Sequence, residues 1–570
     1  MENTEKMYDV IIPGGGLAGL TLSIQLKREK PDISILVLES MDSAAPAAAH
    51  KVGESTVELA TYYMREVLDL KGYLEEHELP KHGLRFFFKT NNKGEISNRV
   101  ELGPRLKLPV PSHQLDRGTL ENYLATHTQT LGTELIRGAR AKDVQISADG
   151  HQLTYSKDGE DIIVKGKWIA DATGRGSLLK RKLKFAKPME HHSNAVWWRL
   201  KGEIDVDDWS DNIKWKSHLD PKLRYLSTVH FMDKGYWVWI IPLGSKNTSI
   251  GIVADPAVHP FEEINTYEKS LAWLEKNEPL CYKMLKPRGE GDGLLDFRVL
   301  KHYAHESGQL YSADRWGVVG ESGAFLDPLY SPGSDFISLA NTWMTDLILR
   351  DLSGEDIALR ASVYEKSHQS HIENWIPIYQ NKYLLMGNTQ TMVVKIFWDW
   401  AIYWSVPCLL FTNKGFVNLK VAKELFASPT AIGSRFGELN KRVQQMFLEW
   451  QQYDTEIFTD RYIDPFDVPF MREWQQGLEK QYSPKELIEK VTSNLASLEK
   501  FAAALYRLMS AQAFGTPMDL MVNPYSICPE AGKGLTAETT GPDAIGPDEE
   551  MDKQVRIIWF YKIKEELAIS

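Results

Sequence analysis

The 570-residue chain is 43% hydrophobic and 25% charged, an ordinary globular composition with length for more than one domain, which excludes disordered, collagen-like and small disulfide-rich classes. Its 66 Lys and Arg against 77 Asp and Glu give a formal net charge of -11, so phosphate backbones are repelled and nucleic acid is not an expected partner. Cys281, Cys408 and Cys528 are far apart with no CxxC pair, which argues against a disulfide framework or a zinc site and fits a reduced, cytoplasmic setting.

Residues 1–7 are polar, and no secretory signal is expected there. Residues 8–12 form an apolar run, followed by the turn Pro13-Gly14-Gly15-Gly16-Leu17-Ala18-Gly19, an apolar helical stretch to Lys27, and a second run over 33–38 closed by Glu39. That order is strand, glycine turn, helix, strand. Residues 161–169 read as a strand ending at Asp171-Ala172-Thr173-Gly174, and 316–319 as one ending at Gly320-Glu321-Ser322-Gly323. Three glycine turns, each after an apolar strand, point to one nucleotide-binding α/β sheet assembled from distant pieces. Between them, 194–204, 224–232, 236–242 and 248–253 are short runs rich in β-branched and aromatic residues, read as an inserted, mostly antiparallel sheet. From about Asn341 the pattern turns helical, as in the amphipathic stretch 485–509, and 531–553 is the expected flexible loop. The apolar stretch 392–411 is interrupted by Lys395, Asp399 and Pro407, so a buried helix, with an aromatic substrate wall or a membrane-facing patch as alternatives, is expected rather than a membrane span.

Gly14, Gly16 and Gly19 form G-x-G-x-x-G. The first permits the tight turn, the second lets the backbone approach a pyrophosphate, and the third packs helix on sheet. With Leu17 and Ala18 between them, phosphate would sit at the helix N-terminus, and Glu39, followed by Ser40, would accept the ribose hydroxyls.

This fingerprint, Asp116-Arg117, the Asp171 to Gly174 turn and the late Gly320 to Gly333 segment resemble the FAD-dependent monooxygenase and halogenase superfamily over roughly the first 350 residues. The resemblance implies a Rossmann-like, doubly wound domain of the p-hydroxybenzoate-hydroxylase type over 1–85, 110–180 and 290–350, an antiparallel β-sheet substrate domain over 86–109 and 181–289, and a helical region over 351–570. It implies FAD contacts from Arg117, Asp171, Gly174, Gly320, Glu321, Pro328 and Gly333. Within the superfamily, Trp237, Trp239 and Pro242 of W-x-W-x-I-P match the signature of flavin-dependent halogenases, where they separate flavin from substrate. Residues 51–55, Lys-Val-Gly-Glu-Ser, resemble the family's turn beside the flavin, and Lys81, ahead of Gly83 and an aromatic strand, resembles its catalytic lysine. Lys89 is the competing candidate.

The family's chemistry requires FAD as FADH2 from a separate reductase, dioxygen, and chloride or bromide. Reduced flavin and dioxygen give a hydroperoxide that oxidises halide, and the lysine delivers electrophilic halogen to an electron-rich phenolic, indolic or pyrrolic ring, free or tethered to a carrier protein, in secondary metabolism. Ser331 and Gly333 are the implied halide ligands. The chain departs from the family at Pro332, which has no N–H where a halide-binding amide is usual, and at Tyr330, where the tryptophan-specific branch has glutamate. A hydroxylase acting without halide, and a flavin fold that has lost catalysis, are the competing readings. The basic cluster 179–185 is a solvated helix or a docking face for an acidic carrier. His191-His192 has no third ligand at useful spacing, so no metal is expected and a surface pair is.

Overall fold

The computed structural model describes residues 7–46, 51–91, 94–428, 431–454 and 460–560. Of the polar stretch read at 1–7, residues 1–6 lie outside them.

Two sheets organise the molecule. In the first, strand Met7–Pro13 is central, with Ile35–Glu39 and then Glu134–Arg137 parallel on one side and Glu160–Asp171 and then Trp316–Val318 parallel on the other. Val10, Ile11, Ile12, Leu36 and Val37 are fully buried, because a parallel sheet covered on both faces demands continuous rather than alternating apolar runs. The chain leaves Met7–Pro13 through helix Leu17–Glu29 to Ile35–Glu39 on one side, while Glu160–Asp171 pairs on the other. The strand order therefore reverses at Gly14, the place where α/β sheets open a ligand crevice.

The second sheet runs in the order Leu294–Leu300, Asn194–Lys201, Asn247–Ala254, Tyr236–Pro242, Thr228–Asp233, Leu84–Phe88, Glu101–Leu102, Tyr462–Ile463. It is antiparallel except where Thr228–Asp233 meets Leu84–Phe88 and Glu101–Leu102 meets Tyr462–Ile463. Its two faces enter different cores. Trp237 and Trp239 face the large core shared with the first sheet, and Val238 and Ile240 a separate core with Trp198, Trp209 and Phe231, as the period of two along a strand requires.

Sheet membership follows pairing rather than composition, and it moves three expected boundaries. Leu294–Leu300 pairs with Asn194–Lys201 and so belongs to the inserted sheet, not to a nucleotide-binding piece 290–350. Leu84–Phe88 straddles the break expected at 85/86, and Tyr462–Ile463 adds a strand from the helical region 351–570. The strand read at 224–232 begins only at Thr228; Arg224 precedes it, buried against both Glu101 carboxylate oxygens.

The C-terminal half is helical: Gly333–Leu352, Ala358–Tyr379, Thr389–Tyr403, Ile432–Trp450 and Pro484–Phe514. The last begins on a Ser483/Glu486 capping box and ends at Gly515 with φ +71°, a left-handed residue that glycine adopts without strain. Thr389–Thr412 is long and apolar enough to cross a membrane, yet all of it but Tyr403 is buried inside the fold, and Trp400 and Trp404 on it line a cavity. Of the stretch read as a loop, 531–548 is irregular, and Asp548 then caps helix Glu549–Arg556.

Candidate active site

A cleft of about 710 Å³ opens at the strand reversal. Gly14 has φ +113°, and a Cβ there would lie 2.1 Å from the Ala172 carbonyl oxygen; at Gly19 it would lie 2.0 Å from the Gly14 oxygen. A side chain at Gly16 would meet only Lys51 and Glu121, at 3.7 Å or more, so the N-terminus of helix Leu17–Glu29 lies open to a ligand. Lys51, Arg117, Arg140, Arg175 and Arg181 ring the cleft against Glu39 and Glu321, a basic lining in a chain of charge -11. Unpaired helix N–H groups, the helix dipole and these cations fit a pyrophosphate, and Glu39, at the end of its strand, lies where a ribose would sit.

Gly14, Gly16, Leu17, Ala18, Glu39, Ser40, Arg117, Gly174 and Glu321 all line this cleft. Asp171 does not. Its carboxylate is fully buried, accepting from Thr173 N at 2.9 Å, Thr173 Oγ1 at 2.6 Å and Leu179 N at 2.7 Å, so it braces the turns instead of touching a ligand. Asp116 and Arg117 are not an ion pair: Asp116 caps helix Arg117–Thr130, while Arg117 binds Glu121 at 2.5 Å and the Val52 carbonyl at 2.7 Å. The basic cluster 179–185 divides among three duties. Lys180 is buried on the Gly323 carbonyl, Arg181 lines the cleft and Lys182 pairs with Asp143.

Arg117, Val52, Glu321 and Ile337 line both the cleft and a second pocket, which continues to Gly53, Glu54, Ser55, His230, Trp237, Trp239, Gly320, Pro328, Ser331, Pro332 and Gly333. The continuity is what a long, two-ended cofactor such as FAD needs, and the wall residues fit it: aromatic rings, small residues and a buried neutral His230 whose pKa burial pulls down to about 3. Trp239 lies across Gly251 of the neighbouring strand, where a Cβ would come within 2.2 Å of the indole. The Trp237 indole donates to Tyr383 at 3.1 Å, and the Tyr383 hydroxyl to Asp327 at 2.7 Å. Pro242 is the last residue of its strand and lines neither pocket. Asp327 also receives Tyr303 at 2.9 Å and lies 2.6 Å from His191. His191 is therefore a buried partner of this hub, which corrects the surface-pair expectation; doublet spacing could not reveal an aspartate 136 residues away. Among the described residues no cluster of metal-ligating side chains occurs.

Lys81 lies in a third space, a cavity of about 60 Å³ walled by Trp375, Tyr379, Trp400, Tyr403, Trp404 and Phe466, with Pro332 common to it and the flavin-side pocket. Strand Leu79–Lys81 pairs with Ser112–Gln114 and delivers the amine, which donates to the Thr56 carbonyl at 2.6 Å, one residue beyond the flavin-side turn. Lys81 is 4% exposed, and burial pulls its pKa down to about 7, with Glu58 and Asp335 opposing. The same burial pushes Asp335 up to about 7. Lys89 follows the far end of strand Leu84–Phe88 and does not line the cavity.

Three acids here escaped sequence reasoning. Asp335 accepts the Ala60 amide at 2.9 Å from the first turn of helix Gly333–Leu352, Glu58 opens helix Glu58–Tyr62, and Asp399 lies on helix Thr389–Tyr403 with Lys395 at 2.5 Å and the Tyr330 hydroxyl at 2.8 Å. The available signal was charge in an apolar helix, which flagged Lys395 and Asp399 only as reasons against a membrane. Tyr330 and Ser331 adopt left-handed φ of +70° and +62°, a costly conformation for residues with a Cβ and one concentrated at functional turns.

An FAD binding domain family matches residues 7–249. Among curated relatives, the flavin-dependent halogenase chlA of Dictyostelium discoideum is 28% identical over 72% of this chain and 72% of its own length. The 1H-pyrrole-2-carbonyl-(peptidyl-carrier protein) chlorinase of Pseudomonas fluorescens is 23% identical over 65% of this chain and 82% of its own. The crystal structure of halogenase PltM superposes with a TM-score of 0.66 at 17% identity, covering 86% of this chain and 97% of that one, a likeness of fold.

Proposed function

The chain belongs to the flavin-dependent halogenases, and from that premise we propose that it transfers chlorine or bromine to an electron-rich phenolic, indolic or pyrrolic ring in the aromatic cavity, with Lys81 as the catalytic amine. The observation that carries this is the shared wall: Lys81 is buried in a largely aromatic space that meets the flavin-side pocket at the turn bearing Pro332.

Gly14, Gly16, Arg117 and Glu39 would hold the cofactor's phosphate and ribose end, and Trp237, Trp239 and Pro328 its ring end. Bound in reduced form, FAD supplies the activation of dioxygen that oxidises halide. The chain's own residues do the rest. Trp237 and Trp239, braced through Tyr383 and Ser249, form an aromatic wall of the flavin-side pocket. Lys81, desolvated to a pKa of about 7, is available at neutral pH both as an amine that accepts electrophilic halogen and as an ammonium that hydrogen-bonds the oxidant. Thr56 fixes its nitrogen, and the surrounding rings exclude the water that would hydrolyse the transferred species.

The reductant is proposed to come from a separate flavin reductase, since the sequence shows no second dinucleotide fingerprint. A carrier-tethered substrate remains within the proposal, supported by the carrier-protein chlorinase among the relatives. A cytoplasmic location is proposed on the three cysteine thiols. The test is incubation of the protein with FAD, a flavin reductase, NADH and a panel of phenols, indoles and pyrroles in bromide, chloride or neither. A bromine isotope pair that vanishes without bromide is the expected result; halide-independent gain of one oxygen would make the protein a hydroxylase.

A further inference from the structure

We propose that Asp399 is the substrate-recognition residue of the Lys81 cavity, a preorganised carboxylate that accepts a hydrogen bond from a hydroxyl on a neutral aromatic ring, and that the substrate is therefore a phenol without a carboxylate or other anionic group. This rests on reading the cavity as the substrate site.

Three donors converge on Asp399. Lys395 Nζ and the Tyr330 hydroxyl reach Oδ2 at 2.5 and 2.8 Å, and Gln444 Nε2 reaches Oδ1 at 2.7 Å. Three donors on one side chain identify an acceptor, and an ionised carboxylate has about four acceptor positions, so one remains for a ligand. Asp399 lines the cavity wall together with Tyr330, while Lys395 does not. The ammonium therefore neutralises the carboxylate from behind without presenting its charge to the cavity.

A buried ion pair is a poor device for stability, since shape-matched apolar residues often do as well or better. Placed in an aromatic wall, it instead fixes one polar point on an apolar surface, the arrangement by which small-molecule sites orient their ligands. The charge balance sets the ligand class. The lining carries Glu58, Asp335 and Asp399 against Lys81 as the one basic side chain, with no arginine. A free carboxylate would find no arginine and only Lys81 to pair with, whereas a neutral hydroxyl donates to Asp399 and leaves its ring between that residue and Lys81. Donation to a carboxylate also enriches the ring in electrons, the property that halogen transfer requires. Tyr330 couples this point to the turn shared with the flavin-side pocket, because the hydroxyl that orients Asp399 belongs to the left-handed residue two before Pro332.

The test is equilibrium binding of meta-cresol and its shape-matched isostere meta-xylene to the FAD-loaded full-length protein, by calorimetric titration. The wild type should bind the cresol about tenfold more tightly, equivalent to about 1.4 kcal/mol. A Lys395→Leu, Asp399→Leu double variant, which removes the pair without orphaning a charge, should bind both probes within about twofold while keeping FAD. Equal binding of the probes by wild type, binding of neither, or a double variant that keeps the preference would each overturn the assignment. Should the double variant not fold, Lys395→Met, Asp399→Met is read in the same way, and an undiminished preference there also overturns it. Product masses are read separately: a cresol preference without halogenated product defeats the halogenase reading and leaves this site standing, and halogenated product without the preference does the reverse.

Discussion

The FAD cleft takes its backbone from turns that directly follow strands of one sheet, and surrounds about 710 Å³ with five cationic side chains. The Lys81 cavity takes its walls from segments as distant as Val57 and Phe466, and surrounds about 60 Å³ with rings and three buried acids. The charges of the first are paired or exposed; the ionisable groups of the second are buried, and there desolvation governs every titration. A phosphate needs charge and N–H groups in fixed number, which local motifs supply. A halogen-transfer site needs exclusion of water, which only packing supplies.

Adding a side chain to the glycine turn should break the first site most severely. Gly14→Val places a Cβ 2.1 Å from a backbone oxygen at φ +113°, and the purified protein should retain no FAD by absorbance while its yield falls. Breaking the second site should spare the first. Lys81→Met is expected to lower halogenated product by roughly 10²–10⁴-fold, the usual contribution of a positioned proton-transfer or nucleophilic group, with FAD content and NADH-driven flavin reoxidation unchanged. If Lys81→Met loses FAD instead, the two regions are not independent.

The pH response sharpens the contrast. Lys81 has a folded pKa lowered to about 7, so the ammonium dominates below that pH and the amine above it. Product formation through the amine should rise about tenfold from pH 6 to 8, whereas reoxidation of FAD should not follow that curve. A product rate falling over this range would assign the active form to the ammonium. Because Asp335 titrates nearby, pushed up to about 7, the midpoint belongs to the cluster and not to one residue. The smallest effect lies at the shared wall. Pro332→Thr restores a backbone N–H at the turn bearing Ser331 and Gly333, and the KM for bromide should fall about fivefold, as one added hydrogen bond of about 1 kcal/mol gives. An unchanged KM would put the halide away from this amide.

The cleft was largely legible beforehand because its parts are contiguous. Gly14, Gly16 and Gly19 announce the turn, and an acid after the next apolar run announces Glu39. Asp171 was misread for the same reason: its motif marks the turn, but whether its carboxylate faces the cleft or the Thr173 and Leu179 amides depends on packing. The W-x-W strand showed which residues share a face, and pairing with Gly251 then decided where the Trp239 ring lies.

By itself the sequence determined the nucleotide-binding sheet and the inserted strands, since each follows from residues within one turn, strand or helix of one another; Lys81 was named only through resemblance to a family. Tertiary structure alone decided that Lys81, Glu58, Asp335 and Asp399 line one cavity, that His191 reaches Asp327, and that the basic cluster 179–185 is split among the Gly323 carbonyl, the cleft and Asp143. Periodicity and motif spacing encode local geometry, whereas burial, and with it the pKa of Lys81, exists only once distant segments have packed together and expelled water.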